Sequence, residues 1–237
     1  MEHLSETDRL RYARHISMPD FGEECQLRLS HGSVLVIGAG GLGSPVALYL
    51  AAAGIGRIGI ADGDIVDLSN LQRQVIHSTA DIGRPKVRSA AEKMLAINPA
   101  LHVDAIDCFV DATTLPGLIG DYDFIIDATD SLDIKFLVDD VCTAAAKPYN
   151  HGAIWLYEGQ TMTVLPGTIT YHQLFPEKPQ PDRTAPAAGP LGIVPGILGT
   201  IQASEAIKYI AGIGRLLTDR LLRFNALTMK FSEIRLR

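Results

Sequence analysis

Apolar and polar positions along this chain follow two periods, one of strands and one of helices. Residues 33–37 form an apolar run of strand length, and six residues rich in glycine follow at once. Residues 44–53 are a helix of small residues, and 57–61 are a second strand run that ends at Asp62. Together they make a βαβ unit. The alternation continues with a helix over 85–97 that starts on a proline, a strand over 101–106 and a helix over 112–119. A strand over 122–127, a helix over 132–146 and a short strand near Tyr149 complete it. This order predicts a doubly wound, mostly parallel sheet with helices on both faces.

The two ends differ from the middle. Residues 7–28 read as polar helix broken around Pro19 and Gly22. After Gly152, residues 160–165 and 168–172 look like two strands around Pro166-Gly167, which predicts a hairpin. The proline-rich stretch 176–190 reads as an extended or mobile loop, 191–210 as a long apolar helix, and 221–237 as a terminal β-pair. No repeat or linker divides the chain, so one domain over 1–237 with an antiparallel C-terminal extension is expected.

Composition narrows the classes. At 47% hydrophobic and 20% charged over 237 residues the chain is an ordinary globular α/β candidate. Its formal charge of −6 argues against nucleic acid or an anionic membrane as partner, but leaves room for a local basic pocket. The polar, acidic residues 1–8 do not read as a signal peptide. Glycines and charges interrupt every apolar segment well short of the ~18 residues that a membrane span needs. Cys25, Cys108 and Cys142 are isolated, with neither a disulfide framework nor zinc spacing, which fits a cytoplasmic setting.

The turn Gly38-Ala39-Gly40-Gly41-Leu42-Gly43 carries the first chemistry. Gly38 permits the tight turn, Gly40 lets the backbone approach a phosphate, and Gly43 lets the helix pack on the strand. The free N–H groups at the helix start attract an anion. Asp62, at the end of the second strand, can accept both ribose hydroxyls. Alone, this fingerprint fits NAD more often than ATP.

The residues beyond Asp62 shift the balance. Polar groups crowd the loop from Asp64 through Asn70, Arg73 and Gln74, and Lys86 opens the next helix. A lysine there meets the positive end of the helix dipole, where a carboxylate would be preferred. Two cations at one pocket make sense if a triphosphate neutralises them. Thr129-Asp130 follows a strand end at the carboxyl edge of the sheet, and Asp130 suits Mg²⁺, which takes one or two carboxylates plus phosphate oxygens. Asp127 reads as a cap, the histidines as structural, Trp155 as core or a groove wall, and Cys108 and Cys142 as buried small hydrophobes.

Six segments together resemble the MoeB/ThiF/HesA group of ubiquitin-activating-enzyme-like adenylyltransferases. They are Arg11-Tyr12-Ala13-Arg14-His15, the glycine turn, Ser69-Asn70-Leu71-Gln72-Arg73-Gln74, Gly83-Arg84-Pro85-Lys86, Thr129-Asp130 and Ile201-Gln202-Ala203-Ser204-Glu205-Ala206. The resemblance covers nearly the whole chain, and the run 68–74 at its distance from the glycine turn is its most specific part. It implies a Rossmann-like fold and ATP- and Mg²⁺-dependent adenylation of the C-terminal Gly-Gly carboxylate of a small ubiquitin-like sulfur carrier of the MoaD or ThiS kind. The pathway implied is molybdopterin or thiamine biosynthesis, or related sulfur transfer. By position, it assigns the ribose to Asp62, the triphosphate to Asn70, Arg73 and Lys86, and Mg²⁺ to Asp130. Gly38, Gly40, Gly41, Gly43, Asp64, Gln74 and Thr129 complete the nucleotide site. It also implies a homodimer in which Arg14 reaches the neighbouring subunit's site.

The chain departs from the family in places. Thr170 and Gln173 stand where many members carry a zinc Cys-x-x-Cys pair, and no second pair follows, so no zinc is expected. Ala185 stands where some members hold a reactive loop cysteine, Ser131 where Asn is usual, and Lys135 where Arg is common. The substrate could then be a peptide or small-molecule carboxylate. An NAD(P)-dependent oxidoreductase is the rival reading from the glycine turn, and a binding protein without turnover is the third.

Overall fold

The computed structural model of the chain describes residues 3–177 and 189–237. Three short helices, α1 (Glu6–Arg11), α2 (Ala13–Ile16) and α3 (Gly22–His31), precede β1 (Ser33–Ile37), α4 (Gly43–Ala53) and β2 (Arg57–Ala61). Next come α5 (Lys86–Ile97), β3 (His102–Ile106), α6 (Leu115–Ile119), β4 (Phe124–Asp127) and α7 (Leu132–Ala144). The chain continues through β5 (Tyr149–Trp155), β6 (Glu158–Val164), α8 (Tyr171–Leu174), α9 (Ile193–Ala211), β7 (Arg220–Asn225) and β8 (Lys230–Arg235).

The eight strands of the described residues join one sheet in the order β3-β2-β1-β4-β5-β6-β7-β8. β3 to β5 pair in parallel and β5 to β8 antiparallel. The central strands β1, β2 and β4 are apolar over most of their length because both faces are covered. Val34, Val36, Ile58 and Ile60 pack with Leu50 of α4, Met94 of α5 and Leu198 of α9. The alternate residues Leu35 and Ile37 turn the other way, onto Leu115 of α6 and Val138 of α7.

Register positions the site. Ile37 pairs with both Ala61 and Asp127, so β1, β2 and β4 end level. Gly38, Asp62 and Ala128 therefore emerge side by side at the point where strand order reverses, between β1 and β4. That is where open α/β sheets bind ligands. Gly38 has φ +102°, and a Cβ there would lie 2.8 Å from the Ala128 carbonyl oxygen. Only glycine fits both demands.

One expectation fails. Residues 168–172 do not form a strand against 160–165. β6 pairs instead with β5, through a tight turn at Leu156 and Tyr157, and with β7. Thr170 starts α8: its Oγ1 accepts from Gln173 N–H at 3.2 Å, and Gln173 Oε1 accepts from Thr170 N–H at 3.1 Å. This reciprocal cap overrides the strand-like alternation of the segment. Two helices are also shorter than expected, α6 beginning at Leu115 and α7 ending at Ala144. Most of the stretch 176–190, with Ala185, lies outside the described residues.

Candidate active site

A cavity of about 570 Å³ opens over the level ends of β1, β2 and β4. Gly38, Gly40 and Gly41 line it, with Asp62, Asp64, Arg73, Gln74, Lys86, Thr129 and Asp130. Ten of the sequence-predicted residues thus meet in one place.

The Asp62 carboxylate is locked against the glycine turn. Its Oδ2 accepts from Ala39 N–H at 2.7 Å and its Oδ1 from Asp64 N–H at 2.9 Å. Each oxygen keeps a lone pair for a further donor.

Lys86 is held by a short ladder. Val66 N–H donates to Arg84 O at 2.9 Å, Gly83 N–H to Val66 O at 2.8 Å, and Lys86 N–H to Asp64 O at 2.9 Å. The lysine is only 6% exposed, and its Nζ meets Asp64 Oδ2 at 2.8 Å. That carboxylate is 55% exposed, so water screens the charge partner of a buried cation. Arg73 donates from Nη1 to Ser69 O at 3.1 Å, and among the described residues no carboxylate forms an ion pair with it. Gln74 is buried, and its Oε1 has no hydrogen-bond partner among the described residues. A screened lysine and an arginine with no ion pair among the described residues, beside bare glycine backbone, suit a polyanionic ligand.

Beneath Thr129-Asp130 lies a buried charge network. Asp127 Oδ2 meets Lys135 Nζ at 3.1 Å and His151 Nδ1 at 3.1 Å, while its Oδ1 accepts from Thr129 Oγ1 at 2.7 Å. Burial alone pushes this carboxyl up, but Lys135, His151 and Thr129 outweigh it and bring it down to about 2. Lys135 also donates to Thr129 O at 2.7 Å and to the Gly152 carbonyl, so it fixes the peptide that precedes Asp130. Asp127 is therefore more than a cap.

Three expected residues stand apart. Asn70 accepts from Asp67 N–H at 3.2 Å in a capping box and does not line the cavity. Gly43 packs against the Gly38 carbonyl, and Arg14 is exposed on α2; neither lines the cavity. Other lining residues carry no charge and gave no signal: Phe109 and Val110, just past β3, and Ile134 on α7. Only the rule that ligands lie beyond strand ends could have found them. Cys108 is no core residue, since it is half-buried in the cavity wall, and burial, Asp111 and Asp107 push its thiol up. Trp155 is 56% exposed and also lines the wall, so it is not core either.

Fold and cavity define a doubly wound α/β domain with two cations beside a glycine-rich turn at the carboxyl edge of its sheet. The chain belongs to the ThiF family, whose pattern matches residues 12–237. It is 44% identical to the probable adenylyltransferase/sulfurtransferase MoeZ of Mycobacterium tuberculosis, over 99% of this chain but 62% of that protein. It is 42% identical to the SAMP-activating enzyme E1 of Haloferax volcanii, over 98% of this chain and 86% of the relative. Among solved structures, PaaA superposes with a TM-score of 0.85 at 26% identity, over all of this chain and 76% of that one.

Proposed function

We propose that this chain is an ATP- and Mg²⁺-dependent adenylyltransferase that activates the C-terminal carboxylate of a small ubiquitin-like sulfur carrier. The observation that carries the reading is the pair Arg73 and Lys86, set over the glycine turn beside Asp62 and Asp130. A nicotinamide cofactor would leave that charge arrangement without a purpose. The relatives' names, adenylyltransferase/sulfurtransferase and SAMP-activating enzyme, support the carrier over a small-molecule acid.

In this reading Asp62 takes the ribose hydroxyls and the glycine turn receives the phosphates on its backbone N–H groups. Arg73 and Lys86 neutralise the triphosphate, Gln74 can donate an amide N–H to it, and Asp130 would hold Mg²⁺, which would supply charge neutralisation at the phosphates. A carboxylate nucleophile is ionised at neutral pH and needs no general base. The protein's work is to align that carboxylate with the α-phosphate and to stabilise developing charge. The products are an acyl-adenylate and pyrophosphate. The wall of exposed Trp155 and half-buried Pro190 offers a path for an extended tail. We further infer a cytoplasmic homodimer with Arg14 reaching the partner's site.

Pyrophosphate exchange into ATP, with a Gly-Gly-ending carrier as substrate, tests the assignment. Arg73→Ala and Lys86→Ala should each lower exchange on the order of 10²-fold. Exchange unchanged in both would overturn it.

A further inference from the structure

His77 lies outside the cavity, yet it touches the turn that forms the cavity floor. It follows the loop carrying Arg73 and Gln74, is buried, and uses both ring nitrogens. Nε2 lies 3.1 Å from the Ala39 carbonyl oxygen, and Nδ1 lies 2.9 Å from Ser89 Oγ.

The partners fix the tautomer. A carbonyl can only accept, so Nε2 carries the proton. Burial, helped by Lys86 and Lys93, outweighs the Ala39 hydrogen bond and Asp81 and pushes the imidazole down, so the ring is neutral at pH 7. Nδ1 must then accept from the Ser89 hydroxyl. Ser89 Oγ in turn lies 3.1 Å from Lys93 Nζ, which can only donate. The chain of donors runs one way, from Lys93 through Ser89 and His77 to Ala39.

The Ala39 carbonyl belongs to the same peptide plane as the Gly40 N–H. No peptide among the described residues is cis, and in a trans peptide these two groups point in opposite directions. A carbonyl held toward His77 therefore turns the Gly40 N–H away from His77, on the side where Gly40 lines the cavity. Ala39 is fixed at its other end as well, since its N–H donates to Asp62. Ser89 stands one turn beyond Lys86 on α5, so the same bonds tie the glycine turn to the helix that bears the lysine.

We propose that His77 is a positioning residue for phosphate binding, holding the Ala39 carbonyl so that the Gly40 amide faces the ligand. This rests on the cavity's being an ATP site. The test is calorimetric titration of ATP and of adenosine into wild type, His77→Leu and His77→Gln, with a ¹⁵N spectrum of the wild-type ring. His77→Leu should weaken ATP about tenfold or more and leave adenosine within about twofold, since only ATP uses the amide. His77→Gln, whose amide N–H can reach the same carbonyl, should recover most of the ATP affinity. The spectrum should place the proton on Nε2. Equal weakening of ATP and adenosine would mark a merely structural residue and overturn the proposal, as would unchanged ATP affinity in His77→Leu. A proton on Nδ1 would overturn it even where His77→Leu does not fold. A wild type without ATP affinity would instead overturn the ATP reading, and this inference with it.

Discussion

Two glycines of the turn should fail in different ways when replaced by alanine. At Gly43 an added Cβ would lie 1.9 Å from the Gly38 carbonyl oxygen and 2.9 Å from its carbon. Ordinary contact needs about 3.5 Å, so α4 would have to retreat by roughly 1.5 Å. Its other flank forbids that, because a Cβ at Gly199 of α9 would already lie 2.4 Å from Leu42 O and 2.6 Å from Pro45. Overpacking of this kind costs about 1–3 kcal/mol, only partly offset by alanine's helix propensity. For a domain of this size Gly43→Ala should then lower Tm by roughly 3–10 °C. At Gly40 an added Cβ meets only Gln74 Nε2, at 3.6 Å, which is ordinary contact. Gly40→Ala should melt within about 2 °C of wild type, yet bind ATP tenfold more weakly or worse, about 1.4 kcal/mol, because the methyl stands where phosphate meets backbone. Thermal melts without nucleotide and ATP titrations on both variants decide it. A Gly43→Ala protein as stable as wild type, or a Gly40→Ala protein with full ATP affinity, would refute the geometry.

Three other outcomes are expected. Asp127 is held below its unfolded value by Lys135 and His151 despite burial, so its contribution of about 2 kcal/mol is present above pH ~4 and lost as pH falls toward about 2. Urea midpoints across that window should fall in wild type and fall less in Lys135→Met, which should itself cost about 3–5 kcal/mol. An identical acid slope in the variant would remove the lysine from the account. Cys108, whose thiol is pushed up by burial, Asp111 and Asp107, should alkylate more slowly than a free thiol at pH 7, and ATP should slow it further. Mass spectrometry that finds no protection would exclude Cys108 from the nucleotide wall. Mixed Arg14→Ala and Lys86→Ala proteins should recover part of the lost exchange activity if Arg14 acts across a dimer. No recovery, or a monomer by light scattering, would end that idea.

Much of this was legible because the central parallel strands, covered on both faces, must be largely apolar. β1 and β2 fall on the residues expected of them, since no other arrangement hides Val34 through Ile37 and Ile58 through Ala61 from water. The lysine and arginine could be read because a charge placed against a helix dipole or beside a glycine turn asks for a counter-charge. Phe109, Val110 and Ile134 could not, because an apolar side chain at a cavity wall and one in a core look alike in sequence. The misplaced hairpin has a different cause. Thr168 to His172 satisfies both a strand alternation and the cap Thr170-x-x-Gln173, and the cap won because it satisfies two backbone N–H groups at once. The spacing Thr-x-x-Gln was itself a readable signal.

The loop between β2 and α5 shows why the catalytic candidates are set by local polar bonds more than by packing. It runs from Asp62 to Pro85 with only two short 3₁₀ turns, yet it must place Arg73, Gln74 and Lys86 around one cavity. Each turn closes on itself through side chains: Asp67 with Asn70, and Ser78 with Asp81. Asp81 then gathers Lys93 at 2.5 Å and Arg84 at 2.9 Å, which anchors the loop to α5 about two turns beyond Lys86. Asn70 therefore need not touch the ligand to matter, because its bond to Asp67 shapes the segment from which Arg73 projects. A ligand contact and a loop clasp would both fill the same sequence position with asparagine. Only the position of the cavity separates them: Arg73 and Gln74 reach it, and Asn70 does not.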